Sequence, residues 1–204
     1  VPNVSVTITD NDQATLSIND VSIAEGNAGT SSLSFTVTRT GATSAAVGFT
    51  FTTANNSATA GSDYLAVTGS GSIPGGGASA STTLSVTING DAVFENNESF
   101  FVNLSAPSNA TIADAQGIGT INNDDTAPTL SINDVSIVEG NSGTSSLVFT
   151  VTRTGLTELP ATFTAATANG TATAPSDYLS ALTGSTSISA GGATGTTTLS
   201  ATIN

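Results

Sequence analysis

The chain has 204 residues, which is enough for about two domains of roughly 100 residues each. It carries fifteen acidic residues against two arginines, with no lysine or histidine, so its formal net charge is −13. Nucleic acids and anionic membranes are bound through lysine and arginine, so this balance argues against both and favours cations as partners. Cysteine is absent, which excludes disulfides and thiolate metal sites. No apolar run approaches the ~20 residues of a membrane span, so we expect no membrane insertion.

The sequence repeats itself with the period of a whole domain. Thr15–Ile23 reads TLSINDVSI, and Thr129–Ile137 reads the same nine residues, an offset of 114 (129 − 15). The offset persists at Arg39 and Arg153. A period this long indicates tandem domains rather than the turns of a solenoid.

The first twelve residues resemble the end of the first full repeat. Residues 1–12 read VPNVSVTITDND, residues 117–125 read GIGTINNDD, and each leads into TLSIND. Val4, Val6 and Ile8 alternate with polar residues, as in a strand with one apolar face. We therefore expect residues 1–12 to be the closing strand of a preceding repeat. Its partner would be that repeat in a longer chain or, as a second choice, the second repeat of a neighbouring subunit.

One complete repeat follows at residues 13–125, and a second occupies residues 128–204. Asn204 corresponds to Asn89, so the second repeat has no counterpart of Gly90–Asp125 in this sequence. We expect the second repeat to be incomplete, with unpaired strand edges. More chain or another subunit would have to complete it.

Strand signals dominate both repeats. In repeat one, apolar residues recur at every second position in four runs, mostly separated by serine or threonine: Leu33–Val37, Val47–Phe51, Leu84–Ile88 and Phe100–Leu104. Alternation of this kind predicts strands with one buried face. Glycine and asparagine clusters between the runs predict turns, and no segment has a convincing helical pattern. The sequence therefore predicts an all-β fold of tandem immunoglobulin-like antiparallel β-sandwiches, with the second repeat truncated.

Acidic residues recur at strand ends and turns in a chain otherwise nearly free of charge. In the complete repeat they are Glu25, Asp63, Asp91, Glu95, Glu98, Asp124 and Asp125. Carboxylates gathered at one end of a sandwich would repel one another unless a cation neutralised them. Ca²⁺ takes about six to eight oxygen ligands and needs no histidine or cysteine. The alternative is that these acids are solvated turn residues that provide solubility. Their recurrence on a surface of serine and threonine favours calcium.

Four linked motifs resemble the Calx-beta domain, and together they cover almost the whole chain. They are VSIAEGNAGT (21–30), SATAGSDY (57–64), INGDAVFENNESF (88–100) and GTINNDD (119–125). The resemblance implies seven-stranded antiparallel sandwiches with Ca²⁺ clustered at one end. It places the ligand acids on the seven positions above and adds the carbonyl of Val93. Gly90, Ala92 and Asn123 stand where the family often has acids, so we expect few ions and weak binding.

Two further groups of acids fit the same pattern only in part. In the second repeat Glu139 and Asp177 are present, which implies an incomplete site. Asp10 and Asp12 lie at the end of the preceding unit and match its closing acids.

The repeated SIND and VTRTG motifs invite structural interpretations. Asp20 and Asp134 are expected to cap turns before the next strand. Arg39 and Arg153 are the only cationic side chains, and we expect each to snorkel over its sheet or to pair with an acid.

Catalysis is poorly supported, because a chain without histidine, cysteine or lysine has no Ser-His-Asp triad, thiol nucleophile or Schiff base. We therefore expect a protein that is not an enzyme. The resemblance implies a calcium-binding structural module of an extracellular or cell-surface repeat array, such as an adhesin stalk or surface-layer protein. The alternative is a subunit of an extracellular filament or sheath held by strand addition between subunits. Its partners would be calcium ions and, through β-edges, neighbouring repeats or identical subunits.

Overall fold

The structure, a computed structural model, describes residues 5–6 and 13–204. The expectations for the rest of residues 1–12, including Asp10 and Asp12, lie outside the described residues. The described part contains no helix, and therefore none that could cross a membrane. It is built from strands β1 (Ala14–Ile18), β2 (Val21–Ala24), β3 (Gly29–Thr40), β4 (Val47–Asn55), β5 (Thr68–Ile73), β6 (Ser79–Gly90), β7 (Glu98–Ser108), β8 (Ala110–Ile112), β9 (Gln116–Asn122), β10 (Thr129–Ile132), β11 (Ser145–Thr154), β12 (Ala161–Thr162), β13 (Tyr178–Gly184), β14 (Ser187–Ile188) and β15 (Thr194–Ile203).

The chain divides into two compact units. Unit 1 contains residues up to Asp91 together with Asn96–Asn123, and unit 2 contains Ala92–Glu95 together with Asp124–Asn204. The all-β prediction is confirmed.

Unit 1 is a sandwich of two sheets. One sheet has the strand order β6-β3-β1-β8, and the other has the order β2-β9-β7-β4-β5. The four predicted alternating runs lie in β3, β4, β6 and β7, and nearly all their apolar side chains are buried in one core. The sheets are not purely antiparallel, because β1 pairs with β8 and β2 pairs with β9 in parallel.

The parallel pairs arise because the chain changes sheets at Asn19 and Asp20. The Asn19 side chain accepts a hydrogen bond from the backbone N–H of Thr36 at 2.6 Å, which holds the end of β1 on β3. Asp20 accepts one from the backbone N–H of Ile118 at 2.7 Å, which holds the start of β2 near β9. The sequence predicted that Asp20 caps a local turn. This prediction is wrong, because Asp20 instead links two strands that are distant in the sequence.

Phe100, from β7, lies at the centre of the unit 1 core. Its ring stacks on Tyr64 with centroids 4.3 Å apart and meets Phe35 edge-on at 6.0 Å. A Cβ at Gly119, on β9, would lie 2.6 Å from the Phe100 ring. The glycine therefore lets β9 pass close over the aromatic cluster.

We expected the two arginines to snorkel over their sheets or to pair with acids, and this expectation is wrong. Arg39 is fully buried, and its guanidinium donates hydrogen bonds to the carbonyls of Gly41, Gly76 and Gly77. Arg153 does the same in unit 2 with three glycine carbonyls at 155, 191 and 192. Each guanidinium thus binds the backbone carbonyls of a glycine-rich loop, because a buried guanidinium needs several acceptors.

Unit 2 keeps one sheet of this sandwich and little of the other. Its first sheet has the order β10-β11-β15-β13, and Leu130 pairs with Arg153 as Leu16 pairs with Arg39. Its second sheet consists of β12 and β14, two residues each. The corresponding sheet of unit 1 is centred on β9 and β7, whose counterparts are absent from the repeat-two sequence. Within residues 128–204, the outer segments of this second sheet therefore have no central strands to pair with.

Candidate metal site

Glu25 and Glu98 lie at the same end of the larger sheet of unit 1. Glu25 directly follows β2, and its backbone N–H donates to the carbonyl of Asn122 at the end of β9. Because β7 runs antiparallel to β9, its first residue, Glu98, lies opposite Ile121. The Glu25 side chain is buried, with 5% of its surface exposed.

Backbone hydrogen bonds bring Asp63 to the end of β6. The Asp63 carbonyl accepts from the backbone N–H of Asn89 at 2.9 Å. Its carboxylate accepts from the N–H of Thr59 at 2.6 Å, which closes the turn that presents it. Asp91 follows β6 directly. Because a Cβ at Gly90 would overlap the Gly26 carbonyl, the end of β6 lies against the segment that carries Glu25.

The remaining predicted ligands of repeat one belong to unit 2: Val93, Glu95, Asp124 and Asp125. Within that unit, Phe94 exchanges backbone hydrogen bonds with Leu156 and Glu158 on either side of Thr157. This pairing holds the Val93–Glu95 segment. Asp125 is buried, with 9% of its surface exposed.

Within residues 5–6 and 13–204, no group of three or more acidic side chains is positioned to hold a metal ion. In unit 1 the fold brings three strand ends and one turn, each carrying an acid, to the same end. Their carboxylates do not form a group that could already hold a metal ion. The donors are oxygens throughout, which suits hard cations such as Ca²⁺. The assignment of individual ligands stays a prediction.

A family model named Calx-beta domain matches residues 8–127 and 122–185. The chain belongs to the Calx-beta family. Domains of this family are calcium-binding modules.

Several solved structures are similar to this Calx-beta chain. The apo-form Calx CBD1 domain is 22% identical, covers 55% of this chain and 99% of its own, and has a TM-score of 0.49. The calcium binding domain CBD12 of CALX1.1 is 22% identical over 67% of this chain and 61% of its own, with a TM-score of 0.49. CBD12 from CALX1.2 is 21% identical over 91% of this chain and 75% of its own, also with a TM-score of 0.49. No curated protein matches the chain.

In the second Calx-beta repeat, Asp177 occupies the same turn as Asp63. Its carboxylate accepts a hydrogen bond from the backbone N–H of Thr173 at 2.7 Å. That bond, with smaller contributions from the Ser176 and Thr173 hydroxyls, holds the pKa of Asp177 below its usual range, although partial desolvation opposes the shift. Glu139, the counterpart of Glu25, is exposed. This sequence contains no counterpart of Asp91–Asp125 in the second repeat.

The sequence interpretation missed the asparagines that build these turns. Asn89 donates from its side chain to the carbonyls of Gly61 and Ser62, and Asn204 does the same with Pro175 and Ser176. A second asparagine in each repeat, at 55 and 169, accepts from a tyrosine hydroxyl at 2.6 and 2.7 Å. The recurrence of these asparagines at equivalent positions of both repeats is the sequence signal that could have identified them.

Proposed function

We propose that this chain is a calcium-binding structural module of an extracellular or cell-surface repeat array, without catalytic activity. The observation that carries the proposal is the convergence of strand ends in a Calx-beta repeat. The end of β2, the end of β6 and the start of β7 meet at one end of unit 1, where they carry Glu25, Asp91 and Glu98. The turn with Asp63 joins them through Asn89.

The charge and burial of these residues favour a divalent cation. A buried carboxylate such as that of Glu25 is costly to remove from water, and a nearby cation offsets that cost. The whole chain has a net charge of −13, so cation binding also relieves repulsion between its acids. In unit 1 the ion would be held by Glu25, Asp63, Asp91 and Glu98, and bound Ca²⁺ would draw their carboxylates together.

The affinity should be low, in the range of extracellular modules. Gly90, Ala92 and Asn123 supply no carboxylate where the family often has one. Fewer charged ligands place the dissociation constant at roughly 10⁻⁴ to 10⁻³ M. Such a site fills only where calcium is abundant, which supports an extracellular rather than a sensory role.

Thermal unfolding of the full chain with Ca²⁺ and with chelator tests this proposal. At a Ca²⁺ concentration one hundred times the dissociation constant, one site should add about 2.7 kcal/mol to the free energy of unfolding. Asp91→Asn and Glu98→Gln should remove most of that gain. Asp114→Asn is the matched control, because Asp114 lies before β9, at the opposite end of that strand. An equal melting temperature with and without Ca²⁺ would refute the proposal.

A second candidate function is the subunit of an extracellular filament. The observation that favours it is the exposure of apolar side chains in repeat two, where Ile132 is 57% and Val138 is 89% exposed. Exposed apolar surface of this kind often marks an interaction site. The molecular mass in solution discriminates the two, because a filament subunit associates and an isolated array module does not.

A further inference from the structure

Strand β6 is an edge strand of the smaller sheet in unit 1. It pairs with β3 on one side, and no other described strand pairs with it on the other side. A turn covers the last part of this outer side. There the Leu65 N–H donates to the Thr87 carbonyl at 2.9 Å, and the Asn89 N–H donates to the Asp63 carbonyl, also at 2.9 Å. Residues 79–85 have no such cover among the described residues. We name this stretch the open edge.

The covered part of β6 shows which backbone groups of the open edge point outward. Residues of a strand point their N–H and C=O groups alternately to one side and to the other. The Thr87 carbonyl and the Asn89 N–H point away from β3, whereas the Ala78 carbonyl accepts from Gly41 on the β3 side. The odd-numbered residues of the open edge therefore point both groups outward, and all of them are exposed: Ser79, Ser81, Thr83 and Ser85.

The open edge has none of the features that keep edge strands from pairing with another chain. Such features are charged side chains, prolines and bulges. β6 pairs with β3 over twelve residues without a register shift, so it has no bulge, and it contains no proline. No charged residue lies between Asp63 and Asp91, in a chain whose net charge is −13. This combination indicates an edge that accepts a further strand.

We propose that the open edge pairs antiparallel with the open edge of a second copy of this chain, about a twofold axis at Thr82. An identical strand supplies donors and acceptors with the same spacing. In this register Ser81 lies opposite Thr83 of the second copy, and Ser79 lies opposite Ser85. Each outward-pointing residue thus meets another outward-pointing residue, and each such pair exchanges two hydrogen bonds. The two sheets join into one continuous sheet.

The covered part of β6 selects this register over its neighbours. An axis at Thr83 would place Ser79 opposite Thr87, whose carbonyl already accepts from Leu65. An axis at Ser81 would leave Ser85 opposite residue 77, which lies before β6. Both alternatives pair fewer of the outward groups. The register centred on Thr82 is therefore the one that pairs all four residues.

Antiparallel pairing also keeps the acids of the two copies apart. Asp91 directly follows β6, and Asp63 is bound to Asn89 at the same end of the strand. In an antiparallel pair these two acidic ends point in opposite directions, so their repulsion is small. The contact is short compared with a standard protein interface, so we expect a weak dimer that forms with increasing concentration. It does not depend on calcium.

Single-cysteine variants of the full chain test the register, because the natural chain has no cysteine. Thr82→Cys places two cysteines opposite each other on the axis, as a non-hydrogen-bonded pair. The Cα atoms of such a pair are about 4.5 Å apart, which is within disulfide range. Thr83→Cys is the matched control. Position 83 is exposed whereas position 82 is half-buried, but the two copies of residue 83 would lie roughly 8 Å apart, beyond that range.

After incubation with oxidised glutathione, we expect at least about tenfold more disulfide-linked dimer from Thr82→Cys than from Thr83→Cys. Random collisions would favour the more exposed cysteine, so they cannot produce this result. Equal yields, or more dimer from Thr83→Cys, would overturn the proposal.

Proline substitution provides a second readout without cysteine. Thr83→Pro removes an outward N–H and leaves the bonds to β3 intact, and edge strands tolerate proline at such positions. It should abolish the concentration-dependent increase of mass above 19.9 kDa, while its melting temperature shows that unit 1 still folds. Thr83→Val is the matched control, because it keeps the N–H and the branched side chain, and it should preserve the increase. Ser81→Pro repeats the test at the next outward N–H.

The mass at saturation separates this dimer from a filament. A twofold contact uses the same surface on both copies and closes, so the mass should level off at two chains. A constant monomer mass up to about millimolar concentration, open-ended growth, or a dimer that persists in both proline variants would each overturn the proposal. Failure would leave calcium binding untouched, since the open edge contains none of the predicted ligands.

Discussion

Asp20 accepts a hydrogen bond at 2.7 Å from the backbone N–H of Ile118, 98 residues further along the chain. The bond joins the sheet change after β1 to β9, the closing strand. In repeat two Asp134 has the same local sequence, but this chain contains no counterpart of Ile118. The aspartate of the SIND motif therefore links the beginning of a repeat to its closing strand, and it can form this bond only where that strand is present.

Removing the hydrogen bond between Asp20 and Ile118 should lower the stability of unit 1 selectively. Asp20→Ala leaves the Ile118 N–H without its acceptor, so we expect a loss of about 1 kcal/mol in the free energy of unfolding. Hydrogen exchange at the Ile118 amide should become faster. Asp134→Ala is the matched control and should change neither quantity. Equal effects of the two substitutions would mean that the carboxylate acts only locally.

The buried arginine clamps should be intolerant of lysine. Arg39→Lys keeps the charge but loses the planar fork that holds the Gly41, Gly76 and Gly77 carbonyls. A lysine ammonium at this fully buried position cannot reproduce the fork, and we expect a loss of roughly 2–4 kcal/mol in denaturant unfolding of the full chain. Arg153→Lys should instead increase hydrogen exchange in the loop around Gly191. No loss for Arg39→Lys would show that an ammonium holds the glycine loop as well as the guanidinium does.

Gly90 should be required for the geometry of the acidic end. Gly90→Ala introduces a Cβ that overlaps the Gly26 carbonyl, so the backbone around Glu25 must move. We expect a loss of about 1–3 kcal/mol and a smaller increase of melting temperature on adding Ca²⁺. Gly170→Ala is the control, because a Cβ there meets nothing within 4 Å. A full calcium response in Gly90→Ala would show that calcium binding does not depend on the close approach of Gly90 to Gly26.

Unit 1 should lose stability at alkaline pH through Tyr64. Burial raises the pKa of the Tyr64 phenol, and the nearby Asp63 charge adds to the shift, while a hydrogen bond with Thr53 opposes it. The folded pKa then lies above the ordinary value of about 10. The resulting stability is fully present below that ordinary value and is lost as pH rises through the folded pKa.

Tyrosine absorbance resolves this titration, because the chain has only two tyrosines. In Tyr178→Phe the phenolate signal comes from Tyr64 alone, and its midpoint should be higher in the folded chain than in urea. Tyr64→Phe should remove the part of the alkaline loss of melting temperature that Tyr64 causes. If the titration midpoint of Tyr64 in the folded chain were equal to or below its value in urea, burial would not be the main influence on the pKa of the phenol.

The sequence by itself determined the class of fold, the two repeats and the places of the acids. Period-two alternation, as in Leu33–Val37, fixes which side chains face a core, because successive residues of a strand point to opposite faces. The offset of 114 identified the repeats, and the acidic motifs identified the family. Local pattern sufficed for these features because each depends on neighbours along the chain.

Only the tertiary structure decided what the same residues become in different surroundings. Thr15–Ile23 and Thr129–Ile137 are identical, yet the first forms β1 and β2 while the second forms only β10. Leu16 is 0% exposed and its counterpart Leu130 is 41% exposed. The difference is the presence of β7 and β9, which lie about 100 residues away in sequence from β1 and β2. A strand needs a partner for its backbone groups and a core for its side chains, and neither is encoded in the strand itself.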